Sequence, residues 1–264
     1  MARLLSALAL GIPAVFVVWF APPTAFIWLV LLFVLLAAWE YQGLMAACGW
    51  PGREWETALD AGALLLAGWA GGALPGLALT LILLRLLVRS LGAAEPRLGI
   101  AGSGASLLGI VWIGGAGMLL SMTSALPGGR AAVLFLFAVV WANDVAAYFV
   151  GRRLGRRRLA PVISPAKTME GAAGGLAAGA AVGALFAAFL PLPALGFAGA
   201  VGASLLLGLL AQVGDLCESL LKRAAGMKDA SGIIPGHGGV LDRIDGLLLS
   251  APPFYYLLHW LASR

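Results

Sequence analysis

Phe26-Ile-Trp-Leu-Val-Leu-Leu-Phe-Val-Leu-Leu-Ala-Ala-Trp39, the centre of an apolar run that reaches Ala46, carries no charge at all. Wound as a helix at about 1.5 Å per residue, the whole run covers a hydrocarbon core of about 30 Å. Only a helix that closes its own backbone hydrogen bonds can cross such a layer alone. Comparable runs recur from end to end of the 264 residues, of which 61% are hydrophobic and only 11% charged. With a mean hydropathy of +0.98, too few polar side chains remain to coat a water-soluble globule. The expectation is an all-α polytopic membrane protein.

About nine spans are predicted: Leu4–Phe20, Phe26–Ala46, Ala58–Trp69, Ala73–Leu91, Ser103–Ser121, Ala131–Val150, Gly171–Leu190, Ala194–Val213 and Gly246–Leu261. The third is short. The first is read as a span and not as a secretory signal, because Ala21-Pro22-Pro23 leads directly into the next run and no small-x-small cleavage site stands out. Pro22, Pro75, Pro127 and the pair Pro191/Pro193 are expected at turns. Loop charge tests the count, since Lys and Arg gather on the cytosolic side of short loops. A cytosolic N-terminus puts Arg53, Arg85, Arg89, Arg97, the Arg152–Arg158 cluster, Lys167, Lys222, Arg223, Lys228 and Arg243 all inside. Arg130 and Arg264 fall outside, as does the C-terminus. Dropping the third span would put the downstream basic loops on the wrong face. Cys48 and Cys217 have no metal-type spacing and imply neither a disulfide framework nor a zinc site. One membrane domain, 1–264, is expected, with helices for packing or dimerisation in 1–130 and the chemistry in 131–264.

Five of the twelve acidic residues, Asp215, Glu218, Asp229, Asp242 and Asp245, crowd one short stretch with Lys222, Arg223, Lys228 and Arg243. If the eighth span continues as a helix beyond the membrane, Asp215, Glu218, Ser219 and Lys222 share one face. Helix resuming near Val240 puts Asp242 and Asp245 on one face too. Carboxylate oxygens beside substrate phosphates suit a hard divalent cation such as Mg²⁺. The glycines around His237, Gly238 and Gly239 among them, would leave backbone N–H groups open to an anion. Read singly, each of these residues is best taken as an ordinary solvated loop charge, and His237 as ordering its loop or acting directly; read together, carboxylate pairs on one face beside a Gly-rich loop and basic residues form a metal–phosphate kit.

A second group closes the sixth span: Trp141, Asn143, Asp144, Tyr148 and Arg152. An ionisable residue in a span faces an interior cavity or the water interface, so Asp144 is either a ligand or an interfacial charge. Ser164-Pro165-Ala166-Lys167-Thr168-Met169-Glu170-Gly171 reads as a helix start, with Ser164 or Thr168 as cap and Pro165 in the first turn. Such a terminus attracts phosphate, and Lys167 adds charge. Arg152, Arg153, Arg156, Arg157 and Arg158 serve either as topology determinant or as receptor for an anionic lipid head group. Gly171, Gly175, Gly179 and Gly183 form a stripe for close helix packing.

Ser219-Leu-Leu-Lys222-Arg223, then Lys228-Asp229, then Pro235-Gly-His237-Gly238-Gly239-Val-Leu-Asp242-Arg243-Ile-Asp245 resembles the signature of phosphatidate cytidylyltransferases. Asn143-Asp144 through Tyr148 to Gly151-Arg152, and Ser164-Pro165 through Lys167-Thr168 to Glu170-Gly171, extend the resemblance over roughly residues 140–250. It implies a Mg²⁺-dependent integral membrane nucleotidyltransferase of phospholipid synthesis, with the number of cations open. CMP would pass from CTP to phosphatidate, giving CDP-diacylglycerol and pyrophosphate. A homodimer in a bacterial inner membrane with its active site facing the cytosol is implied too, with no nucleic-acid partner. Carried onto this sequence, Asp215, Asp242 and Asp245 would be metal ligands, with Asp144 and Glu218 beside them. Asp215, Lys222, Asp242 and Asp245 would form the catalytic set. Arg223, Lys228, His237, Gly238, Gly239, Arg243, Ser164, Lys167, Thr168, Tyr148 and Arg152 would bind substrate. Ala166 and Met169 stand where a basic and an aromatic residue are expected.

Asp242-x-x-Asp245-Gly246 suggests a CDP-alcohol phosphotransferase, but Leu247-Leu248-Leu249-Ser250 follows and no acidic residue remains downstream. A transporter would place its ionisable groups near the bilayer midplane. Here they gather at one face, and His259 near the outer end suits an interface.

Overall fold

The computed structural model describes residues 2–50, 52–190, 192, 195–233 and 238–263, with the side chains of 2–10 left aside. Its helices are α1 (Ala2–Phe20), α2 (Pro23–Ala47), α3 (Glu54–Ala70), α4 (Leu74–Leu91), α5 (Pro96–Gly109), α6 (Gly115–Ala125), α7 (Gly129–Leu154), α8 (Met169–Phe189), α9 (Phe197–Ala224) and α10 (Leu241–Ala262). A π-helical turn, Ile110–Gly114, joins α5 to α6. Each predicted run coincides with helix, the fifth with this joined rod. Among the described residues six helices are long and apolar enough to cross a membrane: α2, α4, the rod Pro96–Ala125, α7, α8 and α9. The protein is an integral membrane protein. Of the other three, α3 has 17 residues and α10 holds Pro252 and Pro253 in its interior.

Pro22 stands at the N-cap position of α2 and Pro127 in the turn before α7, as expected, whereas Pro75 lies within the first turn of α4. Pro191 and Pro193 lie outside the described residues. One expectation of secondary structure is overturned. Ser164–Thr168 is a strand, paired antiparallel with Arg158–Ala160, so Ser164 and Pro165 do not start a helix. The helix starts at Met169, and Thr168 caps it by accepting the Gly171 N–H at 3.1 Å. Extended backbone at Pro165 is compatible with its fixed φ.

Two compact units emerge, one of 1–122 with 221–244, the other of 123–220 with 245–264. In the first, Leu64, Ile82, Leu86 and Ile110 form a buried cluster. The π turn widens the helix where it meets α3, and Gly114 lets the rod come so close that a Cβ there would lie 2.8 Å from the Ala61 backbone. Tyr41 is wholly buried and donates to the Ala105 carbonyl at 3.0 Å. Glu56 gathers Arg53, Arg85 and Arg89 at 2.8–3.2 Å, and Asp60 also pairs with Arg85. On α4 only Ile82 and Leu86 are buried, while Leu77, Leu81, Leu84 and Val88 lie exposed. A helix apolar on its open side belongs against lipid.

In the second unit the glycine stripe does the packing. Gly171, Gly175, Gly179 and Gly183 are the buried residues of α8. A Cβ at Gly171 or Gly175 would strike α7 backbone at 2.7–2.8 Å, and one at Gly183 would meet the Ala200 carbonyl of α9 at 2.9 Å. Bare backbones therefore pack on both sides of α8. Into this contact Gln212 of α9 reaches with its side-chain amide, donating to Asn143 Oδ1 of α7 and to the Ala172 carbonyl of α8, both at 2.9 Å. One amide thus staples three helices.

Candidate active site

In the second unit, α9 and α10 cross where Gly214 has no side chain. A Cβ at Gly214 would lie 2.6 Å from the Asp245 carbonyl oxygen. That approach carries Asp215 and Glu218 against Asp245. Carboxylate oxygens of the three lie within 4.8 Å of one another, and Glu218 is fully buried. Lys167, from the hairpin strand, reaches Asp215 Oδ2 at 2.6 Å. Ser219 donates to Asp215 Oδ1 at 3.4 Å, and Asp245 Oδ1 accepts the N–H of Gly246 at 2.8 Å. Asp144, exposed on α7, sits within electrostatic reach of Asp215, Lys167 and Asp245. Three acids converging on one point repel one another unless a cation answers them. Oxygen donors at that spacing suit a small hard divalent ion.

The hairpin brings further predicted residues to the same unit. Tyr148 accepts from Arg152 at 3.2 Å. Arg152, Arg153, Arg156, Arg157 and Arg158 are all exposed. Glu170 takes the backbone N–H groups of Arg156 and Arg157 at 2.9–3.3 Å, fixing the turn that presents those guanidinium groups. Ser164 is half-buried on the strand and Thr168 is buried as the cap. Gly155 packs so tightly that a Cβ would meet Thr168 Cγ2 at 2.6 Å.

In the first unit the geometry differs. Asp242, in the first turn of α10, receives Lys222 Nζ at 2.5 Å on Oδ1. Its Oδ2 accepts the N–H groups of Ala230 at 2.9 Å and of Gly239 at 2.8 Å. The expectation of an open anion cradle is therefore corrected at Gly239, whose N–H is occupied by Asp242. Gly238 adopts φ +78°, and a Cβ there would lie 2.8 Å from Asp242 Oδ2, so both conformation and space call for glycine. His237 lies outside the described residues. Lys228, Arg223 and Arg243 are exposed, with Arg223 donating to the Met227 carbonyl at 3.4 Å.

The catalytic candidates thus divide, Asp215 and Asp245 in the second unit, Lys222 and Asp242 in the first. Two residues escaped the sequence reading. Gln212 staples the helices that bear Asp144 and Asp215. Glu40 of α2, 2% exposed, binds the start of α10. A buried acid in a predicted span was the available signal for Glu40. Gln212 offered none beyond being polar in an apolar run.

The sequence profile of the cytidylyltransferase family matches residues 1–261. A phosphatidate cytidylyltransferase of Brucella suis biovar 1 is 50% identical over 129 residues, 49% of this chain and 47% of that protein. One of Synechocystis sp. is 45% identical over 132 residues, 50% of this chain and 44% of that protein. One of Bacillus subtilis is 43% identical over 132 residues, covering 49% and 48%. The aligned part spans about half the length of these curated relatives.

Proposed function

This chain belongs to the cytidylyltransferase family, and we propose that it is a phosphatidate cytidylyltransferase, moving CMP from CTP to phosphatidate with release of pyrophosphate. The observation that carries this reading is the convergence of Asp215, Glu218 and Asp245 within 4.8 Å, with Lys167 on Asp215. The names of the relatives support it.

The chemistry follows from charge. The phosphate monoester of phosphatidate is largely dianionic near neutral pH, so its oxygen attacks the α-phosphorus of CTP without a strong base. An O–P bond forms there as the bond to the bridging oxygen breaks, and the electron pair leaves with pyrophosphate. Nucleophile, centre and leaving group are all negative, so positioning and neutralisation are what the protein supplies. Asp215, Glu218 and Asp245 would hold Mg²⁺, which when bound offsets charge on the phosphoryl oxygens. Asp144 is assigned to the edge of that site, where a second cation would sit. Lys222 and Lys228 are assigned to the nucleotide phosphates, with Arg223 and Arg243 beside them. Lys167, Tyr148 and the Arg152–Arg158 cluster are assigned to the lipid phosphate. Asp242, with both oxygens engaged by Lys222 and backbone N–H groups, is assigned to holding the loop and the lysine in place of ligating metal.

Nine spans with the N-terminus in the cytosol, and a homodimer in the bacterial inner membrane, complete the proposal. Loop charge supports the orientation, which puts the assigned residues on the side where CTP arrives. The test is purified protein in detergent with CTP, phosphatidate and Mg²⁺. Pyrophosphate release that needs all three is expected. Release that is absent, or that proceeds without phosphatidate, overturns the assignment.

A further inference from the structure

Glu40 is a buried carboxylate on α2, distant in sequence from every residue assigned above. Its Oε1 accepts the Ser231 hydroxyl at 2.5 Å and the Val240 N–H at 2.9 Å, and its Oε2 accepts the Leu241 N–H at 2.7 Å. A carboxylate removed from water needs such compensation, and here donors of the α9–α10 connection supply it. Val240 immediately precedes α10 and Leu241 is its first residue, and the N–H groups at such a helix start have no partner within the helix and form its positive end. That end is where a phosphate would otherwise bind. Glu40 fills it. Gly239 comes so close that a Cβ would lie 2.5 Å from Glu40 Oε2.

In the first turn of the same helix, Asp242 ties Ala230 and Gly239 together and holds Lys222. Glu40 and Asp242 therefore grip both ends of the connection, Ala230–Ser231 on one side and Gly239–Leu241 on the other. With the helix terminus occupied, nucleotide phosphates must be met by cationic side chains, and the placement of Lys222 depends on where the first turn of α10 is fixed. We propose that Glu40 is a positioning residue for the nucleotide, acting through the start of α10 and Asp242 to set Lys222. This rests on the CTP-dependent reading above.

Glu40→Gln keeps the shape but places an NH₂ group against backbone donors, so at least one hydrogen bond is lost without a cavity. Hydrogen exchange in detergent is expected to speed up at the amides of Ala230, Gly239, Val240 and Leu241 while the core of α2 stays protected. In the same preparation KM for CTP should rise about tenfold or more, the order expected for a lost charge-assisted contact, with KM for phosphatidate unchanged. Gly239→Ala, which wedges the same contact, should repeat both effects. Unchanged exchange at those amides overturns the proposal, as does faster exchange with an unaltered KM for CTP, or an equal rise in both KM values. Wild type that turns over no CTP removes the nucleotide role and the functional reading together, and exchange then still decides whether Glu40 grips the loop. Wild type that turns over CTP beside an indifferent Glu40→Gln removes only the positioning role.

Discussion

Asp242 and Asp245 stand one turn apart on α10, yet their carboxylates meet opposite surroundings. Asp245 faces two more acids, Asp215 and Glu218. Asp242 faces a lysine and two backbone N–H groups. An acid among acids is destabilised until a cation arrives, whereas an acid among donors is satisfied as it stands. The same residue type at helical spacing thus meets two surroundings, one that suits a metal ligand, the role proposed for Asp245, and one that makes Asp242 a clamp. The difference lies in what the backbone brings alongside.

The strongest way to break that contrast is Asp245→Asn. Pyrophosphate release should fall about a thousandfold or more, the scale of losing metal-based charge stabilisation. Wild type should melt at higher temperature when Mg²⁺ is added, by simple mass action on the folded state. In Asp245→Asn that shift should vanish. A variant that retains both its Mg²⁺ shift and its turnover would remove Asp245 from the metal site.

Asp242→Asn removes the clamp and leaves the three acids in place. One acceptor oxygen survives, but the ion pair with Lys222 does not, and turnover should drop about ten- to a hundredfold. The Mg²⁺-dependent rise in melting temperature should persist. If it disappears, Asp242 is a metal ligand after all and the two aspartates act alike.

A smaller effect is expected from the exposed guanidinium groups. Replacing Arg152, Arg153, Arg156, Arg157 and Arg158 with Gln should raise KM for phosphatidate about three- to tenfold, since exposed charges act weakly and are screened by salt. KM for CTP should hold. Equal kinetics for the lipid would leave the cluster with topology alone.

Much of this was legible because hydropathy reports on lipid directly. The run Phe26–Ala46 is long and apolar enough to cross a bilayer as a helix, and the glycine stripe of α8 announced a close contact without naming its partners. The convergence of Asp215 and Glu218 followed from helical spacing. What stayed hidden was non-local. Glu40 bonds to residues about two hundred positions away, and no local pattern encodes such a pairing. The hairpin at Arg158–Thr168 was hidden for another reason: Ser164-Pro165 is as good a helix start as a strand, and only the pairing with Arg158–Ala160 decides. The π turn at Ile110–Gly114 sits where Gly114 packs against Ala61, a non-local contact that the apolar run does not record. Asp242 and Asp245 looked alike because spacing reports which side chains share a face and says nothing of the donors opposite them.

The mildest perturbation bears on what holds the acidic group in register. Asn143 is buried, and its Oδ1 takes the Gln212 amide where Gly175 leaves room. Gly175→Ala would put a methyl 2.6 Å from that oxygen and 2.8 Å from the Asn143 carbonyl, forcing α8 away from α7. Overpacking of this kind costs about 1–3 kcal/mol, and the staple to Asn143 should lengthen as the helices part. Gln212 is one turn before Asp215 on α9, and Asn143 directly precedes Asp144 on α7, so the strain is passed along both helices toward those acids. The expected result is a melting temperature a few degrees lower, with turnover reduced less than threefold and the Mg²⁺ shift weakened but present. A large loss of turnover with unchanged melting would mean that the staple aligns the acids more than it stabilises the bundle, and would place Gln212 with the catalytic residues rather than with the packing.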